Sequence, residues 1–248
     1  MRIAVLNDIH GNLPALEAVL RELHACGVDR IIVGGDVLPG PMAHLVLERL
    51  EAEHTPVDFI FGNGEVAILD LLAGRAPALP ESYLPSLRWN ADRLDDRQRE
   101  TIADWPLTLR VRVPALGEVL FCHATPRNEN EIFTQVTDEE RLRPVFDPAN
   151  ASIVVCGHTH MQFDRMVGRT RVINAGSVGM PFGQPGADWV ILGTDAEFRH
   201  TVYDLSRAAE RIRQCGYPAA DEFAAKYILN PPSADDMLKA YSKHELTP

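Results

Sequence analysis

Five short polar signatures recur in one order along the chain: Asp8-Ile9-His10, Gly35-Asp36, Gly62-Asn63, His123 and Gly157-His158-Thr159-His160. Carboxylate, imidazole and amide oxygen are mixed nitrogen and oxygen donors that suit divalent Mn, Fe or Zn, and no thiolate stands among them. Single-ion catalytic sites commonly use three protein ligands. The seven candidates here, Asp8, His10, Asp36, Asn63, His123, His158 and His160, fit two ions sharing a bridging carboxylate, which lie about 3.5–4 Å apart in hydrolytic two-metal sites.

Each signature follows an apolar run. Ile3-Ala4-Val5-Leu6, Ile31-Ile32-Val33, Phe59-Ile60-Phe61, Val119-Leu120-Phe121-Cys122 and Ile153-Val154-Val155-Cys156 have the length and the β-branched or aromatic bias of buried strands. Uninterrupted apolar strands belong to sheets covered on both faces, and open α/β sheets bind ligands outside the carboxyl ends of their strands. The five signatures are therefore expected to converge at one sheet edge.

The first half reads as βαβαβ, with an amphipathic helix from Asn12-Leu13-Pro14 to Cys26-Gly27 and a second over Ala43 to Ala52. From about 66 to 109 the alternation stops: Val66 to Leu72 is helical, Pro77 to Pro85 is proline-rich, and Leu87 to Trp105 is helical again. This helical insertion either shapes access to the site or packs on the sheet. Strand patterns resume at Leu109 to Val113, Glu118 to Cys122, Ala151 to Cys156, Arg171 to Asn174, Trp189 to Leu192 and Phe198 to Tyr203, so the second half is expected to be antiparallel or mixed. A helical C-terminal extension over 206–248 is expected to pack on a main domain of residues 1–205.

The 46% hydrophobic and 24% charged content is that of an ordinary globular protein. A formal charge of −11 opposes a long nucleic-acid groove, which needs clustered Lys and Arg. No apolar segment approaches bilayer-spanning length, and no signal-type stretch precedes the first strand, so a cytoplasmic protein without membrane contact is expected. Cys26, Cys122, Cys156 and Cys215 lack Cys-x-x-Cys spacing and read as reduced thiols. His24, His44, His54, His200 and His244 read as surface or core residues.

In this order, the motifs resemble the calcineurin-like metallophosphoesterase superfamily, and Asn174-Ala175-Gly176-Ser177-Val178-Gly179 resembles a turn of its small bacterial and archaeal phosphodiesterase-like branch. The resemblance implies a four-layer αββα sandwich of two mixed sheets flanked by helices. It also implies one metal on Asp8, His10 and His160, another on Asn63, His123 and His158, and Asp36 bridging them. Mn is favoured, with Fe, Zn or Ni as alternatives, and a bridging water or hydroxide would attack phosphorus in line.

One departure stands out. Many members carry His after Gly-Asn, to contact the phosphate or protonate the leaving group, where this chain has Gly64 followed by Glu65. Glu65 then either contacts water, acts itself or caps the next helix. Asn12 either caps its helix or contacts substrate, and Arg127 is either a phosphate contact or a surface residue. The expected function is a dinuclear-metal-dependent phosphoesterase acting on phosphodiesters or activated esters of a small phosphorylated substrate, with Asp36, Asn63 and Glu65 as catalytic candidates. The alternative is a weakened metal-binding scaffold or a sensor of a phosphorylated ligand, and a homo-oligomer is compatible with either.

Overall fold

The computed structural model describes residues 1–246; residues 247 and 248, the end of the expected C-terminal extension, lie outside them. Ten strands form two five-stranded mixed sheets among the described residues. In the first sheet, β1 (Ile3–Leu6) lies between β2 (Arg30–Val33) and β9 (Ala187–Leu192). It pairs parallel with β2, which pairs parallel with β3 (Val57–Phe59), and antiparallel with β9, which carries the edge strand β10 (Ala196–Thr201). In the second sheet, β5 (Gly117–Cys122), β6 (Ile153–Cys156) and β8 (Thr170–Asn174) run parallel, with β4 (Thr108–Val113) and β7 (Phe163–Val167) antiparallel at the edges.

Alternation along each strand explains the uninterrupted apolar runs, because successive side chains point to opposite faces and both faces are covered. Ile3 and Val5 of β1 enter the layer between the sheets with Ile32, Val119, Phe121, Val155, Ile173 and Val190. Ala4 and Leu6 face the other way, into a core shared with Leu16, Val19, Leu20 and Leu23 of helix α1 (Leu13–Cys26) and Val46, Leu47 and Leu50 of α2 (Ala43–Glu51). On the far side, Leu120, Cys122, Val154, Cys156 and Val172 pack with Leu142, Val145 and Phe146 of α6 (Glu139–Phe146). The result is the expected αββα layering, with Cys122 and Cys156 as core material.

The insertion comprises α3 (Asn63–Leu72), a turn of 3₁₀-helix at Glu81–Tyr83, α4 (Leu84–Ala91) and α5 (Asp96–Ala103). The single helix expected over 87–105 is split, because Asp95 and Gln98 form a capping box that starts α5 afresh. β3 stops two residues short of the expected end, where the Phe61 amide turns to the Pro106 carbonyl. β7 was not expected: its exposed Asp164 and Met166 dilute the apolar pattern of an edge strand. The C-terminal extension contains α7 (Leu205–Arg213), the short α8 (Ala220–Phe223) leading into a π-helical turn at Ala224–Leu229, and α9 (Ala234–Tyr241). Ala208, Ile212, Phe223 and Ile228 share the core of α1 and α2, so the extension packs on the domain.

Candidate metal centre

Parallel pairing delivers the signatures to one place. β1, β2 and β3 end at the same edge of the first sheet, as β5 and β6 do in the second, and the loops leaving them carry Asp8, Asp36, Asn63, His123 and His158. These loops are laced together by main-chain bonds, from the Asp8 amide to the Gly35 carbonyl (3.1 Å), from the His10 amide to the Asp36 carbonyl (2.9 Å) and from the Gly157 amide to the His123 carbonyl (2.8 Å). The lacing holds an unfavourable backbone: Asp8, His10, Asp36, His158 and His160 all have φ between 45° and 67°. A left-handed conformation in a non-glycine residue costs about 1–2 kcal/mol and persists where surrounding structure enforces it, which is common at functional sites.

Two groups of ligand-type side chains result, Asp8, His10 and His160 in one and Asp36, His123 and His158 in the other. Asp36 Oδ2 lies 3.5 Å from His10 Nε2 and 3.5 Å from His123 Nε2, so one carboxylate oxygen faces both groups. Asn63 Oδ1 joins the second group, 3.1 Å from His123 Nε2. All seven predicted ligands are thus brought together.

Hydrogen bonding at the outer ring nitrogens shows what the inner ones offer. The Nδ1 atoms of His10, His123 and His160 face the carbonyls of Pro39 (3.2 Å), Gly34 (2.8 Å) and Met180 (2.8 Å), which can only accept. Each Nδ1 therefore carries the hydrogen, and in the neutral ring Nε2 presents a lone pair inward, the arrangement typical of metal-ligating histidine. His10 Nε2 and His160 Nε2 are 3.3 Å apart, and Asp8 Oδ1 is 3.3 Å from His160 Nε2. Asp8 Oδ1 is also buried with no hydrogen-bond partner. Acceptors converging on one another with a carboxylate oxygen left over make an unfavourable cluster unless a cation lies among them, so the residues fit a divalent metal.

Electrostatics agree. Burial pushes the Asp36 carboxyl upward, but the His123 and His10 imidazoles and the Gly64 amide outweigh it and hold the group well below the usual carboxylate range. Burial opposes a charge on His123, yet the Asp36 and Asp8 carboxylates raise it to about 10, whereas burial and the neighbouring His123 lower His158 to about 4. Without metal, a proton on His123 takes part of the cation's place.

The remaining candidates lie elsewhere. Asn12 is buried; its Oδ1 caps α1 by accepting from the Ala15 amide (3.1 Å) and its Nδ2 donates to the Gly179 carbonyl (2.9 Å), so of its two sequence readings the structure favours the helix cap over the substrate contact. Glu65 is fully buried and accepts from the amides of Asp36 (2.9 Å), Leu38 (2.9 Å) and Gly62 (2.7 Å). It is a positioning residue for the Asp36 loop, not a catalytic group in the cleft, and burial with the nearby Asp36 charge pushes it up to about 7. The exposed Arg127 spends its guanidinium on Glu131 (2.6 Å) and does not line the cleft.

Gly64 has a structural cause: a Cβ there would stand 2.0 Å from the Leu38 carbonyl oxygen. The 37–41 loop thus occupies the ground a side chain would need. Two residues noted in sequence only as part of a turn prove to be braces. Asn174 donates to the Gly157 carbonyl (2.6 Å) and Thr159 Oγ1 (3.1 Å), and Ser177 Oγ donates to the Asp8 carbonyl (2.7 Å). Above the ligands lies a cleft of about 670 Å³, walled by the insertion near Tyr83 and by the C-terminal extension from Tyr217 to Tyr241. A hollow of about 550 Å³ at the opposite sheet edge, around Arg2, Pro114 and Thr194, brings with it no ligand-type cluster among the described residues.

A family model described as the calcineurin-like phosphoesterase superfamily domain matches residues 1–197. A solved hypothetical protein of Pyrococcus horikoshii covers 94% of this chain and 99% of its own, with 20% identity and a TM-score of 0.78. A metallophosphoesterase from Sphaerobacter thermophilus covers 92% and 99%, with 23% identity and a TM-score of 0.70. An uncharacterized protein of Methanocaldococcus jannaschii is 22% identical, over 85% of this chain and 91% of its own.

Proposed function

Because the chain belongs to the calcineurin-like phosphoesterase superfamily, we propose that it is a two-metal phosphoesterase hydrolysing phosphodiesters or activated phosphate esters of small molecules. The carrying observation is the pair of ligand groups that meet at Asp36 Oδ2, 3.5 Å from an imidazole of each. Asp8, His10 and His160 would hold one ion, Asn63, His123 and His158 the other, with Asp36 between them; Mn²⁺ suits this set of imidazole, carboxylate and amide. Paired divalent ions supply Lewis acidity toward a phosphoryl oxygen and a water acidic enough to be a nucleophile at neutral pH.

The chain's own residues then set orientation and proton supply. His10, Asp36, Asn63, His158 and His160 line the cleft floor, where a phosphoryl group would be placed. The three carbonyls at Nδ1 fix the imidazole planes, and Glu65 fixes the loop of Asp36. At the position where many members carry histidine, Gly64 offers no proton and the Leu38 carbonyl excludes a side chain. General-acid assistance, typically worth roughly 10²–10⁴-fold, is therefore missing from that position. Esters with acidic leaving groups depart without it; alkyl monoesters do not.

The test is a series of aryl phosphodiesters and alkyl monoesters assayed with the Mn²⁺-loaded chain. The proposal expects metal-dependent turnover of the aryl diesters, falling steeply as leaving-group pKa rises. Equal rates across the series, with chemistry limiting, would mean that another group donates the proton. Bound metal with no turnover of any ester would favour the sensor or scaffold alternative.

A further inference from the structure

The walls of the cleft are aromatic, and most come from a part of the chain with no metal ligand. Four of the five tyrosines in the sequence, Tyr83, Tyr217, Tyr227 and Tyr241, line it together with Phe182 and Phe223. Tyr83 belongs to the insertion, while Tyr217, Phe223, Tyr227 and Tyr241 belong to the extension, beyond the 1–197 family match.

The rings are ordered in two series. Tyr217, Phe223 and Tyr227 meet edge to face, with centroids 6.4 Å and 5.6 Å apart. Phe182 stacks on the ligand His160 at 5.0 Å and 22°, and Tyr241 follows at 6.3 Å. The second series leads from the metal centre outward. Tyr217 and Phe223 belong to the core, but Tyr83 is 46% exposed and Phe182, Tyr227 and Tyr241 are only partly buried. Packing therefore leaves part of each of these four rings uncovered. Lys226, 5.1 Å from the Tyr227 ring and 3.7 Å from Glu222, is the cationic side chain of the lining.

We propose that this cleft recognises the organic part of the substrate by stacking, so that the protein selects phosphate esters carrying a planar aromatic ring, of nucleobase or aryl type. The inference rests on the phosphoesterase reading for the reacting end of the molecule and adds a requirement at the other end. A volume of about 670 Å³ falls within the range of small-ligand sites and suits one ester of mononucleotide size. The formal charge of −11 removes the attraction that a nucleic-acid strand would need. Ring stacking on aromatic side chains is tolerant of ring identity, because every planar ring offers a π face.

Binding of phenylphosphonate and cyclohexylphosphonate to the Mn²⁺-loaded full chain, measured by titration calorimetry, separates stacking from hydrophobic burial. The two share a head group, and the saturated ring is the more hydrophobic. Phenylphosphonate is expected to bind about tenfold tighter, in keeping with base stacking on aromatic side chains. The Y83A/Y227A double variant should bring the ratio close to one, while Y83F/Y227F should keep it, since rings and not hydroxyls carry the effect. An adenosine 5′-phosphonate distinguishes the two sources: tighter binding than phenylphosphonate indicates a nucleobase, equal or weaker binding a simple aryl group. Equal affinity of phenyl and cyclohexyl probes in the wild type, or an unchanged ratio in Y83A/Y227A, overturns the inference. Selective phenylphosphonate binding with no ester hydrolysis would instead sink the phosphoesterase reading and leave this one standing.

Discussion

Asp36 carries more of the site than any other side chain, since its Oδ2 faces an imidazole of each ligand group while its Oδ1 accepts from the Gly64 amide at 2.8 Å. Asp36→Asn replaces half of that acceptor set with donors. We expect lower occupancy at both metal positions and at least a hundredfold loss of turnover, read by elemental analysis and by aryl diester hydrolysis. Two retained ions with normal rates would refute the bridging role. The imidazoles give a second expectation. His123, raised to about 10 from an ordinary 6.5, must lose its proton to bind metal, so binding near pH 7 should release about one proton, detectable as a buffer-dependent heat. For the metal-free protein the linkage has a definite sign. A raised pKa stabilises the fold below the unfolded value, and that contribution is lost as pH climbs toward 10. His158, lowered to about 4, acts in reverse, and its contribution is lost as pH falls from 6.5 toward 4. Glu65, raised to about 7, opposes His158 between about pH 4.5 and 6.5, so stability of the metal-free protein should decline chiefly as pH climbs above about 6.5, which thermal melts across pH would show.

At the scale of elements, the loop after β2 and the start of α3 are locked together. Glu65 ties three amides from both segments, and the Leu38 carbonyl fills the space beside Gly64. Gly64→His should therefore not restore a proton donor. Overpacking of this kind costs about 1–3 kcal/mol or more, and the variant should melt earlier and bind metal less well than wild type. Improved turnover of alkyl monoesters by a stable Gly64→His protein would show that the loop can yield. Glu65→Gln turns an acceptor into a donor facing backbone amides, and a loss of about 1–3 kcal/mol is expected by denaturant titration. The ligands themselves were legible in sequence because carboxylate and imidazole types recur at the ends of apolar runs, and parallel pairing sends those ends to one edge. The crowding at Gly64 was not, since it depends on the path of a loop 26 residues earlier. Asn12 had two chemically sensible readings and Glu65 three, and only their buried hydrogen bonds decide, for a helix cap at Asn12 and for a cap that also braces the Asp36 loop at Glu65.

For the molecule as a whole, sheet layers supply the floor of the cleft, whereas insertion and extension supply its walls. Tyr217, Phe223 and Tyr227 lie in a segment that reads in sequence only as a helical extension packed on the domain, and only the tertiary arrangement shows that their ring series borders the cleft. The core share of that segment is real as well: Tyr217, Phe223, Ala224 and Ile228 pack with α1 and α2. Ending the chain after residue 213 should lower the melting temperature by roughly 10 °C or more, given about 1.5–3 kcal/mol for each large apolar side chain lost from the core. An unchanged melting temperature would mean that the extension is an independent unit. No helix among the described residues is long and apolar enough to cross a membrane. Two divalent ions on either side of Asp36 would be seen without intermediary by anomalous diffraction at the Mn edge from crystals grown with Mn²⁺. Two peaks flanking the Asp36 carboxylate, one beside Asp8, His10 and His160 and one beside Asn63, His123 and His158, are the predicted result; one peak or none under metal-replete conditions would contradict it.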